Sequence, residues 1–343
     1  MDIPNIPPAV VRIPRFAGYV LQGIHDQHAI TAFLGKAAIP VPETIAYDVT
    51  IGGHLGCEYI IQHRIPGVSL EGIYEALDIS EKKHVLGQVV DLLASMESIQ
   101  FPATGHLVAA DRLPDALVVQ GSSTPYNAGV ATAPFPRGLC ERHEPGPTPT
   151  TLEDALADRL RAWDEECGTQ VGVLLAPMWE RLSEIIVEMR SLGFFEQCCV
   201  APNVLHHCDF ELRNVMVERK NGLCKVTGVV DWDTALSVPL VLVRKPPAWL
   251  WLSEEEMESS HTWWDGDFDE VELGEGELKT LFEQKMVEKV GVKYLEDAFG
   301  KGRWIRRVWR FLLYGFMRDR DLKRFDRFVD EWNRYTEGRK SAA

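Results

Sequence analysis

The sequence predicts an α+β chain of two unequal lobes: a small, β-rich one over residues 1–66 and a larger, mostly helical one over residues 67–343. Three observations carry this. Short β-like runs crowd the first 63 residues around one helical pattern. Ile65-Pro66-Gly67 then breaks the pattern with the residue types that punctuate elements. Beyond it, apolar residues at helical spacing dominate, apart from one hairpin-and-strand unit ending near Asp233.

Val10–Ile13 reads as a strand, and His25 to Leu34 as a helix with Ile30, Phe33 and Leu34 on one face. Pro40 and Pro42 end that helix, because proline lacks the amide donor and clashes with the preceding turn. Thr44–Asp48 and Glu58–His63 are β-like, joined by a turn bearing Gly52, Gly53 and Gly56. Glu81–Ile99 is an amphipathic helix, with Val85, Val89, Leu92, Leu93 and Met96 at helical spacing. Ala109–Thr150 clusters Pro, Gly, Ser and Thr with little periodicity and reads as a loop-rich excursion. Helical patterns return at Thr151–Cys167 and Pro177–Leu192. Val215–Val217 and Lys225–Val230 read as strands around Asn221-Gly222, a dipeptide suited to the positive φ of a hairpin turn.

The last third reads as helical, with its charges segregated. Glu254–Glu277 is acidic and holds no lysine or arginine. Lys301–Arg324 is basic with Trp304, Trp309, Phe311 and Phe316 interleaved; it reads as a helix pair with solvated charge and an aromatic core face rather than a nucleic-acid surface. A net charge of −15 over 343 residues disfavours nonspecific nucleic-acid or anionic-membrane binding. The seven cysteines form no CxxC pair, MDIPNIPPAV has no basic or apolar leader character, and no apolar run approaches the ~20 residues of a spanning helix. The expectation is a cytoplasmic protein with reduced thiols, no nucleic-acid or membrane partner, and an oligomeric state left open.

The sharpest signal is Leu205-His206-His207-Cys208-Asp209-Phe210-Glu211-Leu212-Arg213-Asn214. His207, Asp209 and Asn214 fit H-x-D-x-x-x-x-N, and after the hairpin Val229-Val230 leads into Asp231-Trp232-Asp233. Phosphoryl transfer uses such an arrangement. One carboxylate takes the acceptor's hydroxyl proton, an amide oxygen of the same loop binds a metal, and a strand-terminal carboxylate bridges Mg²⁺ to nucleotide phosphates. The bland alternative is that Asp209 and Asn214 merely cap turns.

LHHCDFELRNVMV, VTGVVDWDTALSVPLVL and PPAWLW together resemble the aminoglycoside phosphotransferase-like family, particularly its fungal branch of phosphotransferase enzymes. VVRIPRF, VPETIAYD and LGCEYIIQHRIPG are similar to that family's small lobe and hinge. The resemblance covers most of the chain and is weakest in Ala109–Thr150 and after Gly274. It implies a two-lobed protein-kinase-like fold, Mg²⁺, ATP or GTP as phosphoryl donor, and a small hydroxylated acceptor, with cationic acceptors among the candidates. By position it makes Asp209 the catalytic base and Asn214 and Asp231 the metal ligands, with Asp233 an auxiliary acid. It makes Gln62, His63 and Arg64 the adenine-contacting hinge. His207 is expected to brace the loop rather than move protons.

Arg12 stands where the family places its phosphate-binding lysine, and Gln27 where it places that lysine's glutamate partner. The family's small lobe opens with a glycine-containing hairpin over the phosphates; the eleven residues before Arg12 hold three prolines and no glycine, so this hairpin is expected to be missing. A non-catalytic kinase-like binding module is therefore the second hypothesis. Cys198, Cys199, His206, His207 and Cys208 suggest zinc but lack knuckle spacing, and no G-x-S-x-G elbow supports a serine hydrolase. Trp249, Trp251, Trp263 and Trp264 are candidates for an acceptor wall, with helical packing the plainer reading.

Overall fold

A computed structural model describes residues 7–14, 23–50, 52–53, 55–112, 129–133, 135, 149–166, 170–196, 201–253, 255–256, 276–316 and 318–342; every structural statement concerns these. Residues 1–6, on which the missing hairpin bears, lie outside them, as do Cys198, Cys199, Trp263, Trp264, most of 109–150 and nearly all of the acidic 254–277 segment.

The N-terminal part forms an antiparallel sheet of β1 (Ala9–Arg12), β2 (Thr44–Asp48) and β3 (Tyr59–His63), with β3 central. The strand β3 alternates half-buried and buried residues, so Ile60 and Gln62 point inward together. Helix α1 (Ile24–Lys36) buries Ile30, Phe33 and Leu34, the face its sequence marks, against Leu107, Val229 and Trp232. The chain leaves β3 through Gly67, whose φ is +97°; a Cβ there would stand 2.0 Å from the Val217 carbonyl oxygen. Only glycine lets the backbone turn so tightly onto β4 (Val68–Ser69).

Helix α2 (Ile79–Ser98) begins two residues before the expected Glu81 because Asp78 and Glu81 form a capping box. The Asp78 carboxylate accepts from the Glu81 amide at 2.9 Å, and Glu81 accepts from the Asp78 amide at 3.3 Å. β9 (Val215–Lys220) and β10 (Leu223–Val229) pair as the expected hairpin, with Asn221 at φ 55° and Gly222 at φ 75°. They form a sheet in the order β10-β9-β4.

The sequence reading missed a five-stranded sheet. β5 (Gln100–Phe101), β6 (Gly105–Ala109), β7 (Val130–Ala133), β8 (Asn203–His206) and β11 (Leu236–Pro239) lie in the order β5-β8-β11-β6-β7. These strands have two to five residues, and several are continuously buried, so they show no alternation. The strand β7 also falls inside the stretch read as an excursion.

The helices α3 (Leu152–Glu166), α4 (Gln170–Ser191), α5 (Leu240–Val243), α6 (Glu277–Val290), α7 (Lys293–Phe299), α8 (Lys301–Tyr314) and α9 (Asp319–Ala342) complete the large part. Pro177 lies inside α4 rather than opening it; Leu175, Met178 and Trp179 pack into the core around the proline. The aromatic face of α8 is buried as expected, but the charges of the basic stretch are not all solvated. Arg306 and Arg307 on α8 and Arg324 on α9 are buried. Arg307 pairs with Glu331 at 2.7 Å and lies over Trp304 and Phe328, so this basic stretch is packing surface. Among the described residues no helix is long and apolar enough to cross a membrane.

Candidate active site

The loop from β8 to β9 is held by its own side chains. The Asp209 amide donates to His207 Nδ1 at 3.1 Å, which places the His207 proton on Nε2, where it donates to the Val230 carbonyl at 2.9 Å. Burial holds the His207 pKa below its ordinary value, so the ring is a neutral strut between the loop and the end of β10, as its sequence suggests. Trp232 packs edge-on against it at 4.5 Å. The amide of Asn214 donates at 2.8 Å to both the carbonyl and Oδ2 of Asp209, and Arg213 pairs with Oδ1. Each oxygen of the Asp209 carboxylate thus has a fixed donor. The Asn214 side-chain oxygen is left as an acceptor.

A cavity of about 450 Å³ lies beside this loop. Its wall brings together eight of the ten residues singled out from sequence: Arg12, Gln27, Gln62, His63, Arg64, Asn214, Asp231 and Asp233. Gln62–Arg64 reach it from the end of β3, and the Arg64 amide is tied to the Pro8 carbonyl at 2.8 Å. Gln27 faces it from α1, whereas Asp26 turns away and accepts from the Ala109 amide and Arg112. The other two, His207 and Asp209, lie on the loop next to it.

Asp231 follows β10 with φ at +68°, in the left-handed region that asparagine and aspartate tolerate better than most side chains. Arg12 crosses from β1 to donate to Asp233 at 2.9 and 2.6 Å and to Asp231 at 3.2 Å. Burial works against the Arg12 charge, but Asp233 and Asp231 outweigh it and raise its pKa. Burial also raises the Asp233 pKa, against the pull of Arg12. The guanidinium therefore lies between the two carboxylates. Two carboxylates and an amide side chain on one cavity wall offer hard oxygen donors of the kind that suits a divalent cation. Gln27, expected near Arg12, shares the cavity wall with it, but the charge partners of Arg12 are these two aspartates.

Sequence reasoning missed Arg213, whose link to Asp209 is an i,i+4 pair that the loop's irregularity hid, and Glu211, which lines a second cavity. That cavity, about 160 Å³, lies against the same loop and is walled in part by His206, His207, Cys208, Phe210, Glu211 and Trp249. Trp249 is packed as well as lining: it is buried and donates to the Phe210 carbonyl at 3.0 Å, while Trp251 packs on Phe282. Of the proposed zinc group, the Cys208 thiol donates to the Thr234 carbonyl at 2.9 Å, and burial pushes its pKa up to about 12. Both His207 nitrogens are also engaged.

Fold and site together define an α+β protein with a small N-terminal β-sheet and a larger, mostly helical part, its H-x-D-x-x-x-x-N loop beside a cavity that the strand-terminal aspartate lines. The chain belongs to the Phosphotransferase enzyme family, whose profile matches residues 3–241. Two Aspergillus fumigatus strains contribute curated relatives, each a subtelomeric hrmA-associated cluster protein 35% identical over 69 residues. That match covers 20% of this chain and 14% of the relatives' length. The chain is also similar to solved aminoglycoside phosphotransferases. A thermostable mutant of APH(4)-Ia with AMP-PNP and hygromycin B has 18% identity and a TM-score of 0.41, covering 90% of this chain and 86% of that one. The streptomycin–ATP complex of APH(2″)-IIa has 15% identity and a TM-score of 0.47, covering 95% and 84%. The family assignment rests on the profile match.

Proposed function

We propose that the protein is a phosphotransferase that moves the γ-phosphoryl group of a nucleoside triphosphate, ATP or GTP, to a hydroxyl of a small molecule in the cytoplasm. The observation that carries this reading is the convergence of Gln62–Arg64, Asn214, Asp231 and Asp233 on one cavity beside Asp209. In this reading the base is contacted by Gln62–Arg64. Asn214, Asp231 and Asp233 would hold Mg²⁺, which neutralises phosphate charge when bound. Asp209 takes the proton of the acceptor hydroxyl as that oxygen bonds to the γ-phosphorus. The bond from the γ-phosphorus to the β–γ bridging oxygen breaks, and the nucleoside diphosphate leaves with the electron pair. Arg213 and Asn214 keep the Asp209 carboxylate from turning.

The test is calorimetry and thermal shift with ATP and GTP, with and without Mg²⁺, since a ligand that binds only the native state raises its melting temperature. Mg²⁺-dependent binding that Asp231→Asn removes is the expected result. Identical nucleotide affinity with and without the metal would sink the metal role.

A further inference from the structure

The larger cavity carries a statement about how its ligands enter, and that statement rests on the phosphotransferase reading above. Among the described residues, Asp231 and Asp233 are the carboxylates of its wall. Three of their four oxygens accept from the Arg12 guanidinium, at 2.9, 2.6 and 3.2 Å. The same oxygens are the hard donors that a divalent cation takes. Arg12 and a cation therefore compete for them.

The wall offers Arg12 no other acid in exchange. Gln27 and Gln62, 6% and 4% exposed, bring uncharged carboxamides to it. Asp26, next to Gln27 on α1, is fully buried and turned away; it accepts from the Ala109 amide at 2.9 Å, the Gly23 amide at 3.0 Å and Arg112. If Arg12 gave up Asp231 and Asp233 to a free cation, its partly buried guanidinium would stand beside a dication with no counter-charge, which is costly. A polyphosphate without a cation meets the converse difficulty. It can draw Arg12 away, but its negative charge then faces two bared carboxylates. When both arrive, each charge finds an opposite, because the guanidinium fork suits phosphate oxygens as well as carboxylates.

We infer that Arg12 makes this cavity selective for a divalent cation and a polyphosphate taken up together: the guanidinium exchanges Asp231 and Asp233 for phosphate oxygens, and neither ligand binds tightly alone. The exchange asks only for rotation of one long, partly exposed side chain at the end of β1. By linkage, each ligand raises the affinity for the other by the same factor.

The experiment uses the full chain with Mn²⁺ as the metal probe, since carboxylate and carbonyl oxygens take it as they take Mg²⁺, and AMP-PNP as the nucleotide. Electron paramagnetic resonance measures the binding of Mn²⁺ alone. Calorimetry measures AMP-PNP in EDTA and the preformed Mn²⁺–AMP-PNP complex. In the parent, the complex binds more tightly than either component. Arg12→Gln should strengthen the binding of Mn²⁺ alone roughly 10-fold and weaken that of the complex roughly 10-fold, one charge-assisted contact being removed in each case. A merely structural role for Arg12 would weaken both. Arg12→Lys, which keeps the charge, should return both affinities toward those of the parent. The inference is overturned if Arg12→Gln leaves Mn²⁺ binding unchanged or weakens it. Should circular dichroism show that variant unfolded, the parent decides: Mn²⁺ held as tightly without AMP-PNP as with it overturns the inference. A parent that binds no nucleotide, with or without Mn²⁺, sinks the phosphotransferase reading. A parent that binds the complex tightly while Arg12→Gln leaves Mn²⁺ binding untouched sinks the role of Arg12 alone.

Discussion

The larger cavity draws its polar groups from stretches far apart in sequence: Arg12, Gln27, Gln62–Arg64 and Asn214–Asp233. The smaller one takes much of its wall from two short runs, Leu205–Glu211 without Asp209, and Leu242–Trp249 without Arg244 and Ala248, closed by α8. In the larger, opposite charges meet across the cleft, and Asn214 keeps an oxygen unspent. In the smaller, Glu97, Arg306 and Arg310 turn their charges into the surrounding protein. The difference is one of construction. The larger cavity is assembled by the tertiary fold from distant charged groups; the smaller is built largely from local runs, with a wall that mixes apolar and polar groups.

The sharpest way to break this contrast is at the loop between the cavities. Asp209→Asn removes the proton acceptor and keeps the side chain's size, with one oxygen left to accept from either Arg213 or Asn214. Transfer should fall by about 10²–10⁴-fold with the melting temperature within a few degrees of the parent. A variant that retains most of its activity in a coupled assay would remove Asp209 from the role of base.

On the nucleotide side, Asp231→Asn keeps a residue that accepts positive φ, so it separates charge from backbone strain; Asp231→Ala adds the strain. Losing one charged contact to a bound cation should cost about 1.5–3 kcal/mol of Mg²⁺-nucleotide affinity, roughly 10- to 100-fold, with a weaker metal-independent component remaining. Equal affinity in parent and Asp231→Asn by calorimetry contradicts the assignment.

The third expectation concerns acid. Burial pushes the pKa of His206, on the smaller cavity, down to about 3, and that of His106 down to about 4. The unfolded chain takes up these protons below about pH 6.5 and the folded chain does not. The stability these neutral rings contribute is complete above that pH and is lost as pH falls toward 4. Each contributes up to about 1.4 kcal/mol per pH unit in that window. Melting temperature should therefore fall from pH 6.5 to 4.5, and less steeply in His206→Gln. Parallel curves for the two proteins would show that His206 is not the group responsible.

The smallest effect belongs to Arg12→Gln. The ion pair is partly exposed, with a third of the Arg12 side chain open to solvent, so its loss should cost the ligand-free protein no more than about 1 kcal/mol. A drop of several kcal/mol in urea unfolding would mean that Arg12 supports the fold rather than the cleft.

The geometry of the H-x-D-x-x-x-x-N loop was legible because its spacing is local: His207, Asp209 and Asn214 interact within a few residues of one another. The hairpin after it was legible because Asn221-Gly222 fits a left-handed turn. α1 and the central strand β3 were legible from period alone. The five-stranded sheet was not, because strands as short as Gln100–Phe101 cannot display a period and β8 and β11 are buried on successive residues. Arg12 was flagged as a phosphate ligand, yet its contacts to Asp231 and Asp233 span some 220 residues, and only the tertiary fold reveals them. Glu211 went unnoticed because nothing in the sequence tells a carboxylate lining a cavity from one in solvent.

Arg12 sits on a strand of the small sheet and grips two carboxylates that lie beyond the turn at Gly67, so its ion pairs act as a latch that charge can open. Three hydrogen bonds from one guanidinium span that side of the cavity. A ligand that draws Arg12 onto its own negative charge unfastens the latch in the act of arriving, and must then supply the tether between the two sides itself. Salt does the first half of this without the second, because it screens a partly exposed pair. The ligand-free cleft should therefore breathe more widely as ionic strength rises, and amide exchange along β1 is where that opening would be felt.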